Sequence, residues 1–162
     1  MALSLEAASR LLIREARCLD DGDYDKWLSL YDEDALYWAP VDRRQEEPTD
    51  GVSHVCDDIQ LMAARVHRLK NPRVYSPEPA PLTARIVGNI EVDEDPDHPM
   101  LVRSSLLLLE FRDRGRFEED QRTFGAKVEH RLRPSGDGLK IYRKRIDLIN
   151  AVGALNAIAI PF

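Results

Sequence analysis

Residues 15–40 read EARCLDDGDYDKWLSLYDEDALYWAP. Eight acidic side chains share this stretch with five aromatics: Tyr24, Trp27, Tyr31, Tyr37 and Trp38. It is either an acidic catalytic or metal site, or the scaffold of a fold. Spacing favours the scaffold. Leu5, Ala8, Leu12, Ala16 and Leu19 recur at helical intervals and predict a first helix. Ser4 can cap it, and Glu6 suits the first turn, where a carboxylate opposes the helix dipole. Gly22 is placed to end it, because glycine turns left-handed at no steric cost. Asp23 then caps a short second helix, with Asp25 in its first turn and Trp27, Leu30 and Tyr31 as its apolar stripe. Asp20, Asp21, Asp23 and Asp25 thus straddle a helix end and a helix start, where Asp is favoured without any chemistry. Asp32, Glu33 and Asp34 read as a solvated turn beyond it.

Outward from that stretch, LYWAPV (36–41) reads as a short strand ending on a proline, and the charged residues 42–50 as a loop. Val52, Val55, Ile59, Met62, Ala63, Val66 and Leu69 share one helical face and predict a third helix over 52–69. Pro72, Pro77, Pro79 and Pro81 make 71–82 a loop, since each proline removes a donor and fixes its own φ. Residues 84–93, 100–112, 117–132 and 139–149 read as long strands. Within 121–132 the alternation is strict: Phe124, Ala126, Val128, His130 and Leu132 face one side, with Thr123, Lys127, Glu129 and Arg131 on the other. That pattern belongs to a sheet with one packed and one wet face. RDRGR (112–116) and PSGDG (134–138) read as hairpin turns. Helices followed by a strand meander predict one α+β domain over 1–162, with N-terminal helices packed on a strongly curved, mainly antiparallel sheet.

Composition narrows the function. The 162 residues carry a net charge of −6, which disfavours a nucleic-acid partner because phosphate binding needs a basic face. MALSLEAASR lacks the basic and apolar regions of a signal peptide, and no apolar run approaches the ~20 residues of a membrane span. Cys18 and Cys56 fall inside helical patterns and form no disulfide framework, which suits the reducing cytoplasm. The chain's last twelve residues, 151–162, contain no charged side chain. Such a tail is expected to pack, on its own sheet or on a neighbour.

The candidate chemical groups are few. The histidines are His54, His67, His98 and His130. A Rieske cluster needs paired Cys and His ligands; His54 and Cys56 are the only close pair, so the cluster is excluded. A mononuclear iron needs two His and one carboxylate. His54 and Asp58, four apart, would share a face of the third helix, as a partial ligand set or simply as polar surface, and His67 lies on another face. No nucleophile elbow or phosphate-cradling glycine loop is present. No catalytic, metal or cofactor-binding residue is therefore assigned. His130 occupies an inward position, either as a hydrogen-bonded core histidine or lining a cavity on the concave side of the sheet. Candidate pocket residues are Asp20, Tyr37, His54, Asp58 and His130.

REARCLDDGDYDKWLSLY (14–31), DALYWAPV (34–41), TARIVGNIEV (83–92), RKRIDLINA (143–151) and the apolar NAIAIPF (156–162) together resemble the small (β) subunit of the aromatic-ring-hydroxylating dioxygenases. The resemblance spans nearly the whole chain. It implies the cone of nuclear transport factor 2 and ketosteroid isomerase. It further implies a non-catalytic structural subunit of a multi-subunit Rieske non-haem iron dioxygenase. In that family the large α subunit holds the Rieske [2Fe-2S] cluster and the mononuclear Fe(II). The β subunit holds no cofactor and assists assembly, commonly as a trimer within α3β3. Two features depart from the family: the short segment before the first helix and the proline-dense loop. The alternative is a free-standing cone-fold dehydratase or isomerase, or a small-ligand binding protein, using the concave pocket.

Overall fold

The computed structural model describes residues 3–71, 80–95, 97–113, 119–136, 138–153 and 160–162. Helix α1 (Leu5–Asp20) begins as its sequence dictates: the Ser4 hydroxyl accepts from the Ala7 amide at 3.1 Å. It ends in a Schellman motif. Gly22, at φ 71°, donates to Leu19 O, and Asp23 donates to Cys18 O. Leu5 is more than half exposed, so the buried stripe runs from Ala8 to Leu19. Asp23 stands at the start of α2 (Tyr24–Ser29), but its side chain pairs with Lys26 at 2.5 Å and caps no amide.

Strand β1 (Tyr31–Pro40) begins five residues before the expected strand, so Leu30 and Tyr31 lie outside α2 although both are buried. The expected turn Asp32–Asp34 is strand, with its acids on the wet side. Two of them, Asp32 and Asp34, meet Arg133 at 3.3 and 3.0 Å.

The expected third helix is divided. Ser53–Asp58 is strand β2, antiparallel to β1 with Trp38 opposite Cys56 and Leu36 opposite Asp58. Helix α3 (Ile59–Lys70) starts only after Asp58, whose carboxylate accepts from the Leu61 amide at 2.9 Å. Val52, Val55 and Ile59 match helical spacing by coincidence; Val52 is three-quarters exposed while Val55 is buried. Hydrogen bonding to β1 and the Asp58 cap decide the boundary. Cys56 therefore lies on a strand, exposed, whereas Cys18 is in α1 as expected.

The four long strands follow as β3 (Leu82–Asp95), β4 (His98–Asp113), β5 (Glu119–Ser135) and β6 (Gly138–Leu148). One six-stranded sheet results, in the order β2-β1-β6-β5-β4-β3. Only β1 and β6 are parallel; every other pairing is antiparallel. The α+β reading and the curved, mostly antiparallel sheet under helices both hold. Gly136, at φ 57°, fits the expected turn before β6, while residue 137 of that turn lies outside the described residues. The same applies to 114–118 of the other hairpin, to 72–79 of the proline loop and to 154–159 of the tail.

Helix α1 lies across β3, and α3 packs on β1 and β2. The inward residues of β5 are all buried, as their alternation requires. Trp27 and Trp38 are both fully buried, but not in one core. Trp27 belongs to the main cluster beneath α1. Trp38 is covered separately, by the guanidinium groups of Arg143 and Arg145 at 5.3 and 4.7 Å from its ring. Those arginines are pinned by the 42–50 loop: Arg145 donates to Gln45 O and Arg43 O, and Arg143 to Glu46 O.

Candidate functional site

The centre of the cone is built around Glu15. Glu15 lies in phase with Leu11, Leu12 and Leu19 on the buried face of α1, and it is 3% exposed. An ionised carboxylate has about four lone-pair sites to satisfy. Here Oε1 accepts from Lys144 Nζ at 2.8 Å, from the Tyr31 hydroxyl and, more loosely, from Trp27 Nε1 at 3.4 Å. Oε2 accepts from His130 Nε2 at 2.9 Å. Lys144 is in register with Ile146 and Leu148 on the inner face of β6, and is buried like His130. Helix α1, β1, β5 and β6 thus each send one polar group to a single point.

Burial alone would raise the Glu15 carboxyl. The Lys144 ammonium, helped by the hydrogen bond from His130, outweighs that and holds it below the usual carboxylate range. Burial depresses His130, against the pull of Glu15. Burial likewise depresses Lys144, against the same carboxylate. Burial raises Tyr31 and Tyr37 well above the usual phenol range, so both remain hydroxyl donors. The arrangement is an ion pair with a neutral histidine beside it. Because Glu15 only accepts, the His130 hydrogen sits on Nε2.

The chain fills its own cone. The Phe162 ring is 1% exposed and meets Phe124 edge-on, with centroids 5.5 Å apart. Its main-chain oxygen accepts from Lys144 Nζ at 2.6 Å, and its amide donates to the Tyr37 hydroxyl at 2.6 Å. Ala151, Ile160, Pro161 and Phe162 are buried and pack on their own domain core, whereas Val152 is 84% exposed. Among the described residues, the concave side holds a cavity of about 10 Å³ lined by Glu15, Arg85, Ser104, His130, Lys144 and Phe162, among others. Small-molecule sites are typically about 300–1,000 Å³.

Of the five expected pocket residues, only His130 lines this cavity. Asp20 lies at its margin and does a tying job: it accepts from Thr83 Oγ1 at 2.9 Å, the Arg85 amide at 2.8 Å and Arg85 Nη1 at 2.5 Å. Arg85 in turn donates to Pro161 O at 2.5 Å, so this pair anchors the tail to α1 and β3. Tyr37 holds Phe162. His54 and Asp58 never converge with the others: His54 Nε2 meets Ala151 O at 2.8 Å, and Asp58 caps α3. Glu15 and Lys144 are the members that sequence reading missed. The available signal was a charge standing in phase with an apolar stripe, on a helix for one and on a strand for the other. Among the described residues, no three His, Cys, Asp or Glu side chains gather as a metal site.

A family model described as "Ring hydroxylating beta subunit" matches residues 14–153. The benzoate 1,2-dioxygenase subunit beta of Acinetobacter baylyi is 32% identical over 153 residues, covering 91% of this chain and 88% of that one. The 2-halobenzoate 1,2-dioxygenase small subunit of Burkholderia cepacia is 30% identical over 144 residues, covering 86% and 84%. The crystal structure of the beta subunit of benzoate 1,2-dioxygenase from Burkholderia mallei superposes with a TM-score of 0.77 at 25% identity, over 99% of each chain. The matched span runs from the helix that carries Glu15 to the strand that carries Lys144 and beyond, so the centre of the cone lies inside the likeness. The chain belongs to the ring-hydroxylating dioxygenase beta-subunit family.

Proposed function

We propose that the chain is the non-catalytic small subunit of a multi-subunit dioxygenase that hydroxylates aromatic rings, and that it serves assembly. The observation that carries this reading is the closed cone. In a free-standing cone-fold enzyme the concave side must admit a substrate. Here Phe162 and the Glu15–Lys144 pair occupy it, leaving about 10 Å³, too little for a ring. Among the described residues, the concave side offers no larger chamber to a pocket-using dehydratase, isomerase or binding protein.

In this reading a large α subunit supplies the Rieske [2Fe-2S] cluster and the mononuclear Fe(II), three copies of this chain form a ring within α3β3, and the single 1–162 domain works in the cytoplasm. The two named relatives act, by their names, on benzoate and 2-halobenzoate, so a benzoate-type aromatic acid is the proposed substrate class of the assembly. An exposed apolar strip supports a protein partner: Ile86 and its cross-strand neighbour Leu107 are 60% and 40% exposed, with Leu82 and Ile149 also exposed. Apolar strips of this kind mark interaction surfaces. Two unpaired thiols, Cys18 and Cys56, suit a reducing compartment, and among the described residues no helix is long and apolar enough to cross a membrane. The test is calorimetric titration of the isolated full chain with benzoate. No heat of binding is expected; a saturable site on this chain alone would contradict the reading.

A further inference from the structure

Three buried polar atoms have no hydrogen-bond partner among the described residues of the cone: Arg85 Nε, Ser104 Oγ and His130 Nδ1. Leaving such atoms unpaired forfeits their hydration with nothing in return, so buried polar groups are nearly always satisfied. All three residues line the same cavity. Their side chains or residues are almost wholly enclosed: the Arg85 and His130 side chains are 2% and 3% exposed, and Ser104 is 5% exposed.

We propose that this cavity is a binding site for a single, long-lived water molecule that joins Arg85, Ser104 and His130. Volume is the first argument. About 10 Å³ is open, and one water needs roughly 10–15 Å³ measured in this way, together with two to four polar partners. Hydrogen-bond polarity is the second argument, and it selects water over an ion. Arg85 Nε–H can only donate, which repels a cation. His130 Nε2 gives its hydrogen to Glu15, so Nδ1 presents a lone pair, which repels an anion. Ser104 Oγ does either. A water molecule accepts from Arg85, donates to His130 and exchanges a bond with Ser104, and no small ion matches that set. Phe162 lines the site on the tail side, and Lys144, which also lines it, donates to Phe162 O. The water then links two structural units: the Asp20–Arg85 pair that anchors the tail and the Glu15–His130–Lys144 group. This inference does not depend on the dioxygenase reading.

The test is heteronuclear NMR on the isotope-labelled full chain. In the wild type, the carbon-bound ring hydrogens of His130 are expected to show a cross-relaxation peak to water with the sign of a long-lived, immobilised molecule. The His130 ring nitrogens are expected to appear as a hydrogen-bearing Nε2 and a bare Nδ1. Ser104→Ala, which keeps the space and removes any relay through the hydroxyl, should retain the water peak. Ser104→Val, which fills the space, should lose it. Adding sodium chloride should leave the His130 nitrogen shifts unchanged. Absence of the peak in wild type, its loss in Ser104→Ala, a hydrogen on Nδ1 or a saturable chloride-dependent shift would each overturn the proposal. The wild-type measurement decides the matter even if Ser104→Val does not fold.

Discussion

Lys144 Nζ lies 2.8 Å from Glu15 Oε1 across the centre of the cone, with both side chains almost wholly enclosed. Removing one charge of such a pair strands the other in a low-dielectric interior, which typically costs about 3–5 kcal/mol, whereas replacing both by apolar groups is often neutral. Glu15→Gln is therefore expected to lower unfolding stability by about 3–5 kcal/mol. Adding Lys144→Met should return part of that loss. Urea unfolding of the two variants measures this, and a Glu15→Gln protein with wild-type stability would show that the pair is not formed.

Acid should loosen the same centre. His130 has a folded pKa depressed by burial, against about 6.5 in an unfolded chain. The unfolded state therefore binds more protons below that value, and stability falls as pH drops through about 6.5. Glu15, also depressed in the fold, adds a second loss as pH falls below about 4.3. The urea midpoint should be lower at pH 5 than at pH 7. In His130→Gln, which keeps a donor for Glu15, that difference should shrink; an unchanged difference would exclude His130 as its source.

The two tryptophans should separate by location. Trp27→Ala empties a site in the main core beside Tyr31 and Tyr37 and should cost about 3–5 kcal/mol. Trp38→Ala removes the platform beneath Arg143 and Arg145, and the indole nitrogen that donates to Ser53 Oγ at 2.8 Å. Its expected signature is increased proteolysis within the 42–50 loop, which Trp27→Ala should not share at matched fraction folded. Equal cleavage of that loop in both would show that Trp38 does not hold it.

Phe162 is expected to behave as a core residue despite its place in the tail. Phe162→Ala should cost about 3–5 kcal/mol, because the ring is buried against Phe124 and its main chain is tied to Lys144 and Tyr37. Thermal unfolding checks it, and an unshifted midpoint would show that the tail is loosely held.

Where local chemistry settles a feature, the sequence is a sufficient guide. Ser4 and Gly22 bound α1 through bonds to residues a few positions away, and the alternation from Phe124 to Leu132 specifies which face of β5 is dry. Features decided at long range are not legible in local spacing. Val52 to Asp58 carries helical spacing, yet pairing with β1 makes Ser53–Asp58 strand. The site is the extreme case: Glu15 finds Trp27 and Tyr31 at 12 and 16 residues' separation, but His130 and Lys144 at 115 and 129. No local pattern connects those partners. The acidic stretch proves mostly scaffold, as expected, but its first acid is the centre of the cone. Trp38 is the complementary case: LYWAPV reads as a strand, but nothing local shows that Arg143 and Arg145 of a distant strand cover its indole.

The central claim is that this closed cone serves a larger assembly. Affinity purification of the tagged full chain from its native host, followed by native mass spectrometry, tests it most directly. The account predicts a large partner bearing paired Cys and His ligands, in equal copy number with this chain, and iron that travels with the complex. Recovery of the chain as a lone monomer, with no large partner at any ionic strength, would contradict it.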